Sequence, residues 1–374
     1  MKKLLTLVIL FTSTMVSAGT LVVNSNQSGE PSKSAFDAYV AAFSAAHPEV
    51  TVVVNEFEHE AYKTAIRNFL TAEAPDVAVW FAGNRMKFFV DQNLFQDVSD
   101  VWADAGLNDS MASTKGSLTV DGKQYGVPWG YYQWGVYYRK DLFDQLGLNV
   151  PRDWDEFKWV CAMLKKNGIT PITIGTKYLW TAGGWFDYLN LRINGYQFHM
   201  DLTAGKVSYE DPRLDAVFDH WRELIDPGYF LEDHASFSWQ DAQAPQINGE
   251  AAMYLIGNFY VPTLEAAGIG DQMDFFQFPT IYEGVGVAED APTDTMHIPS
   301  GAKNVEDAKK FLAFMSNKEA ATNWAKMGGM LSPNKYADKP TNRFSIMGAK
   351  MLAAADDIAP VSYTHLRAHE TTTN

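Results

Sequence analysis

Between residues 21 and 80 short apolar runs alternate with amphipathic stretches, and this alternation limits the fold more than any other feature. Residues 21–24, 51–55 and 76–80 read as strands rich in Val, Leu and Ala. Residues 34–46 read as a helix with Phe36, Tyr39, Val40 and Phe43 on one face, and 61–71 as a second carrying Ile66, Phe69 and Leu70. A strand–helix–strand–helix–strand order predicts a parallel sheet covered by helices. In such sheets ligands bind beyond the carboxyl ends of the strands. Three loops are therefore marked as candidate sites: residues 26–30, the stretch after Asn55, and residues 81–85.

A turn and strand are expected over residues 122–128, followed by a crossing dense in rings: Trp129, Tyr131, Tyr132, Trp134, Tyr137 and Tyr138. Beyond it the pattern becomes more helical. Asp211-Pro212 is a good helix start, with Asp as cap and Pro in the first turn. Leu214, Val217, Phe218, Trp221, Leu224 and Ile225 continue that helix until Pro227-Gly228 ends it. A later helix is expected over 305–316. No internal repeat and no low-complexity linker interrupts the chain.

At 374 residues and 47% hydrophobic, the chain is globular and long enough for two or three domains. With 45 acidic against 30 basic residues and a formal charge of −15, its surface disfavours nucleic acid and anionic lipid. Cys161 is the only cysteine, which excludes an intramolecular disulfide and a multi-cysteine zinc site. Lys2 and Lys3 precede an apolar stretch over 4–11, and Val16-Ser17-Ala18 offers small residues to a signal peptidase. This start predicts a leader over 1–18, cleaved before Gly19, and a protein exported to the periplasm without a lipid anchor. Residues 361–374 look like the translation of sequencing-adapter DNA and are read as a non-native tail. His365 and His369, four apart within it, are not read as a metal pair.

A neutral sugar presents apolar C–H faces that stack on rings, and hydroxyls that need fixed donors and acceptors. Sites for it combine Trp or Tyr platforms with Asp, Glu, Asn, Arg or Lys. Several rings here fall in expected loops or crossings beside such residues. Trp80 ends a strand and precedes Asn84 and Arg85. Trp129, Tyr131 and Tyr132 lie at the crossing. Lys177 and Trp180 follow the strand-like 172–175, and Asn258 and Phe259 follow the strand 252–256. Glu30 stands in the first marked loop. Trp159 and Trp221 fall on helical stripes and are assigned to the core.

Sequence signatures of enzymes are missing. There is no Gly-x-Ser-x-Gly elbow, no phosphate loop ending in Gly-Lys-Ser/Thr, and no Gly-x-Gly-x-x-Gly after the first strand. His59-Glu60 opens like a metalloprotease motif, but position 63 is Lys. Nothing singles out a pair of carboxylates for glycoside hydrolysis, although an exported carbohydrate-active enzyme stays open as an alternative.

Pro75-Asp76-Val77-Ala78-Val79-Trp80 followed by Leu94-Phe95-Gln96-Asp97-Val98 resembles a segment of the solute-binding proteins of carbohydrate ABC importers, the maltodextrin-binding-like family. Asn93 stands where that family usually has Gly. The resemblance continues through residues 121–128, 136–143, Pro151 with Trp154-Asp155-Glu156-Phe157 (Asp153 replacing a usual Thr), 248–253 and 298–304. It implies an α/β fold of two lobes joined by a hinge: 19–128 with 275–305 as the N-terminal lobe, 129–274 with 306–360 as the C-terminal lobe. By that resemblance Glu30, Trp80, Asn84 and Arg85 contact ligand from the first lobe, Tyr131 and Tyr132 lie at the hinge, and Phe259 stacks from the second. Lys177, Trp180 and Trp239 are weaker carry-overs. The implied function is capture of a mono- or oligosaccharide by a monomer, with no catalysis, cofactor or metal, and delivery to importer permease subunits. A polyol or charged sugar remains an alternative ligand. Family members usually continue with further helices of the second lobe, so this chain reads as C-terminally truncated and less stable than its relatives.

Overall fold

The computed structural model describes residues 19–359; the expected leader and tail lie outside them. Two sheets organise these residues. The first strands are β1 (Gly19–Ser25), β2 (Val50–Glu56) and β3 (Val77–Phe81), connected by α1 (Ser32–Ala46) and α2 (His59–Thr71), with α3 (Asn84–Val90) following. β1 pairs in parallel with both β2 and β3, as the alternating pattern predicts. β3 is buried along its whole length, because helices cover both faces of the sheet and leave no side for a polar alternation.

The chain then contributes β4 (Val127–Tyr131) to the same sheet and crosses at Tyr132-Gln133 into β5 (Trp134–Arg139) of the second sheet. After α4 (Trp154–Lys166), β6 (Thr170–Ile172), α5 (Trp180–Ile193) and α6 (Arg213–Ile225) come β7 (Ala251–Gly257) and β8 (Met273–Phe276). The second sheet runs β8-β5-β7-β6. A short strand β9 (Ala288–Asp290) leads back through Ala291-Pro292 to β10 (Thr293–His297). β10 lies antiparallel between β3 and β4, completing the order β2-β1-β3-β10-β4. The first sheet is therefore mixed, because β10 enters from the other sheet and runs against its neighbours.

Helices α7 (Val305–Met315) and α8 (Lys318–Gly328) return to the first sheet. Phe311 of α7 packs edge-on against Phe43, and Trp324 of α8 stacks on Trp129 with centroids 4.3 Å apart. The chain crosses once more to α9 (Arg343–Ala354), where Phe344 meets Tyr137 and Phe275 of the second sheet, and ends in β11 (Asp357–Ala359) beside β9. The sheets gather the following segments beside the expected lobe limits. Residues 129–131 belong with the first sheet, 275–290 with the second, and 306–328 with the first. Residues 306–328 pack on α1, with Phe311 against Phe43 and Trp324 against Phe36 and Tyr39.

Three sequence details acquire a structural cause. Asp76 of the Pro-Asp motif is buried, and its carboxylate accepts from the backbone N–H of Val22, Lys303 and Asn304 at 2.7–2.9 Å. It ties β1 and β3 to the start of α7, where the helix dipole favours an anion. Asn93, in place of the usual Gly, has φ 58°, and Asn is the residue that best tolerates this left-handed position after Gly. Asp153, in place of Thr, caps α4 by accepting from Glu156 N–H at 2.8 Å. Trp159, expected in the core, is 55% exposed. The buried stripe of α4 runs through Phe157, Val160, Cys161 and Leu164, nearly half a helix turn away, on the opposite side. On α6, Trp221 is half-buried and Phe218 and Ile225 are exposed.

Candidate functional site

The ends of β1, β2 and β3 deliver the first wall of the site. Asn26 follows β1, is buried, and its side-chain amide lies 3.3 Å from His59 Nδ1. His59 opens α2, which Glu58 caps by accepting from Glu60 and Ala61 N–H at 2.9 Å. This cap presents Glu60 and Lys63 on the first turn, with Lys63 Nζ 2.8 Å from Glu60 Oε1. After β3 the chain turns at Gly83, whose φ of 74° is open to glycine at no steric cost, into α3. Arg85 then folds back so that its guanidinium lies 4.4 Å from the ring centres of both Trp80 and Phe81. Asp294 arrives from β10, paired with Phe81 across the ladder.

The second wall is aromatic. Phe259 follows β7, and its ring meets Tyr132 edge-on at 5.0 Å and Trp239 at 5.2 Å. Trp180, at the start of α5, stands 6.0 Å from Trp239, 5.9 Å from Trp134 and 6.3 Å from Phe259. Glycines make this density possible. A Cβ at Gly257 would lie 2.3 Å from the Phe259 ring, one at Gly184 2.5 Å from Trp134, and one at Gly175 2.0 Å from the backbone oxygen of Ser238 beside Trp239. The walls touch directly: Trp180 Nε1 donates to Glu60 Oε1 at 2.8 Å, Lys63 Nζ lies 5.4 Å from the Trp180 ring centre, and His59 stands 6.5 Å from it.

Burial sets the charges. His59 is held well below the usual imidazole range by desolvation, with Lys63 and Arg85 adding to it, so it is neutral at pH 7. Desolvation brings Lys63 down to about 8, against the opposing pull of Glu60. Asp294 is pushed up to about 7 by burial, against Arg85 and a hydrogen bond from Tyr132. Several buried polar atoms in and beside this cage, among them Trp239 Nε1, Asp294 Oδ1 and both amide atoms of Asn258, have no hydrogen-bond partner among the described residues. Buried groups left so are expensive unless something else bonds them.

Of the residues expected at the site, Arg85, Tyr132, Trp180, Trp239 and Phe259 converge on this cage. Trp80 stands behind it, buried between Phe89 and Arg85. Asn258 is fully buried, its backbone N–H donating to Gln133 O at 3.0 Å beside the crossing. Asn84 opens α3, half-buried next to Arg85. Trp129 is core: it is 1% exposed and sandwiched against Trp324 and Tyr39, because β4 turns that residue towards α1 and α8. Glu30 is exposed at the start of α1, where it accepts from Ser34 Oγ at 2.7 Å. Lys177 is exposed, its ammonium 5.6 Å from the Tyr178 ring centre. Tyr131 is half-buried and lines a separate cleft. Asn26 and Phe81 fall in loops marked from the sequence, and Trp134 in the ring-dense crossing, without being singled out as contacts; His59, Glu60, Lys63 and Asp294 are not among the residues expected at the site. The loop after Asn55 pointed towards 59–63; nothing local pointed to Asp294.

Residues 27–322 match the family model of the bacterial extracellular solute-binding proteins. A solved bacterial solute receptor, AcbH, described as exclusively preferring β-D-galactopyranose, is 32% identical. It superposes with a TM-score of 0.88, covering 93% of this chain and 89% of that one. An ABC transporter extracellular-binding protein of Pyrococcus horikoshii is 26% identical over 312 residues, 82% of this chain and 69% of that protein. The multiple sugar-binding protein of Streptococcus mutans is 25% identical over 56% of this chain, which spans about half (51%) of that protein. The two-sheet arrangement joined by crossings is thus the two-lobe fold of periplasmic binding proteins.

Proposed function

The chain belongs to the bacterial extracellular solute-binding family, and on that premise we propose that it captures a neutral carbohydrate in the cage between its lobes and hands it to the permease subunits of an ABC importer. One observation carries the reading. A wall of rings (Tyr132, Trp180, Trp239, Phe259) faces a wall of hydrogen-bonding groups (Asn26, His59, Arg85, Asp294), with Trp239 Nε1 and Asp294 Oδ1 buried and unbonded. Rings take the C–H faces of a sugar, and the orphaned donors and acceptors take its hydroxyls. The galactose preference of the solved receptor and the sugar-binding relative support the same ligand class.

The protein works by binding alone. Glu60, the carboxylate that meets Trp180 of the ring wall, already accepts from Lys63 and Trp180. A carboxylate so held is a positioned acceptor rather than a proton donor to a leaving group. Because ligand touches both walls, it favours the arrangement in which they meet, and release follows separation of the lobes. The protein acts after export, as a monomer, and its formal charge of −15 keeps it off nucleic acid and anionic membrane. Calorimetry of the full chain against neutral mono- and oligosaccharides, polyols and a uronic acid tests the proposal. At least one neutral sugar should saturate the protein one to one and be recovered unchanged after long incubation. Tighter binding of the uronic acid, or new reducing ends from a glycan, would overturn it.

A further inference from the structure

Glu60, Lys63 and His59 of α2 all meet the second lobe at one ring, Trp180 at the start of α5. Trp180 Nε1 donates to Glu60 Oε1 at 2.8 Å, Lys63 Nζ stands 5.4 Å from the indole centre, and the His59 ring is 6.5 Å away. The same Glu60 oxygen accepts from Lys63 Nζ at 2.8 Å, and the Glu60 and Lys63 side chains are only 12% and 14% exposed. A hydrogen bond to a carboxylate so nearly dry is charge-assisted and meets little competition from water.

Each half of this contact is fixed by its own lobe. On the first, Glu58 caps α2 through the N–H groups of Glu60 and Ala61, and Lys63, one turn on, pins the carboxylate. On the second, Trp134, Trp239 and Phe259 surround the indole at 5.9, 6.0 and 6.3 Å. Gly184, where a Cβ would lie 2.5 Å from Trp134, lets α5 approach that stack. Little side-chain freedom is lost when the two halves meet, so most of the bond's strength goes to holding the lobes together. Parting costs the Trp180 bond alone, because Glu60 keeps Lys63 and takes water in exchange. A net loss of that kind is worth about fivefold to tenfold in an equilibrium.

We propose that Glu60 is a positioning residue for capture: a latch on the first lobe that grips the Trp180 platform of the second and slows the parting of the lobes. Both partners belong to the protein, so the latch acts on the closed arrangement whatever the ligand is. For a bound sugar the inference rests on the carbohydrate reading of the cage and deepens it. Glu60 governs how long the sugar is retained, and the cage governs which sugar is chosen.

The test measures the separation of the lobes in the full chain with no ligand added. Cys161 is buried and is the only cysteine, so spin labels at Lys87→Cys and Lys177→Cys, both exposed, report the distance without interference. Glu60→Ala and Trp180→Phe should each lower the closed-to-open ratio by about fivefold, and the double variant by no more than either alone. Glu60→Gln keeps a carbonyl oxygen for the indole N–H and should hold the ratio within about twofold of the wild type. Unchanged distances in both single variants overturn the proposal, as do effects that multiply in the double variant. Stopped-flow binding of galactose gives a second readout: Glu60→Ala should raise the dissociation rate about fivefold and leave association within about twofold. A loss confined to association also overturns the proposal. If galactose and every other sugar fail to bind, the carbohydrate reading falls, and the interlobe distances alone decide the latch.

Discussion

At the scale of single residues, the site is governed by how burial treats charge. Asp294 sits in a dry setting with one oxygen unbonded, which pushes its pKa up to about 7 despite Arg85. A carboxyl whose folded pKa exceeds its unfolded value binds its proton more tightly when folded. Its contribution to stability is therefore complete below about pH 4 and is lost as the pH rises through about 7. Asp294→Asn should flatten this dependence, gaining about 2–4 kcal/mol on the wild type between pH 4 and 8. Thermal melts across that range check it; parallel curves for the two proteins would refute it. Trp180→Phe keeps most of the ring and deletes the donor to Glu60, while Trp239→Ala deletes a whole platform. The first should weaken sugar binding by about fivefold and the second by a hundredfold or so, with little change in melting temperature for the first. Calorimetry decides, and equal effects would argue against stacking as the main term.

At the scale of elements, small details at strand and helix ends place the site. The Asp76 carboxylate holds three backbone N–H groups that link β1, β3 and α7. Asp76→Ala leaves them unbonded and should destabilise the protein by about 3 kcal/mol, read from urea unfolding. Gly257→Ala is a sharper probe of the site. Its Cβ would lie 2.3 Å from Phe259 and 2.9 Å from Tyr132, so the ring must leave its place. Affinity for sugar should fall about tenfold or more, while overpacking costs about 1–3 kcal/mol of stability. Much at this scale was legible beforehand. The order of the first five elements follows from apolar periodicity, and Asp211, read as a cap, accepts from Arg213 N–H at 3.0 Å at the start of α6. The exposed Trp159 was misread because an aromatic at helical spacing looks like core until its angle to the buried stripe is known.

At the scale of the whole molecule, the lobes are joined by crossings whose supports are buried and polar. Arg192 of α5 pairs with Glu289 of β9, which also accepts from Tyr188 at 2.9 Å and Gln277 at 2.9 Å, just before the chain returns to the first sheet. Arg192→Met leaves that carboxylate buried and unpaired and should cost about 3–5 kcal/mol, seen as a lower melting temperature at neutral pH. Glu289→Gln together with Arg192→Met should recover part of the loss, since neither partner then strands a charge. What the sequence determined alone was the local grammar: alternating strands and helices, the loops that end the strands, and an unusual supply of rings near expected turns. The tertiary structure decided which rings come together in the proposed site. Trp129 and Trp180 looked alike in sequence, yet one is stacked against α8 in the core and the other reaches Glu60 across the cleft. It also brought Asp294 beside Phe81 from more than 200 positions away. The reason is physical: periodicity reports which face of one element is apolar, while a site is made where faces of different elements meet, and no local pattern records that meeting.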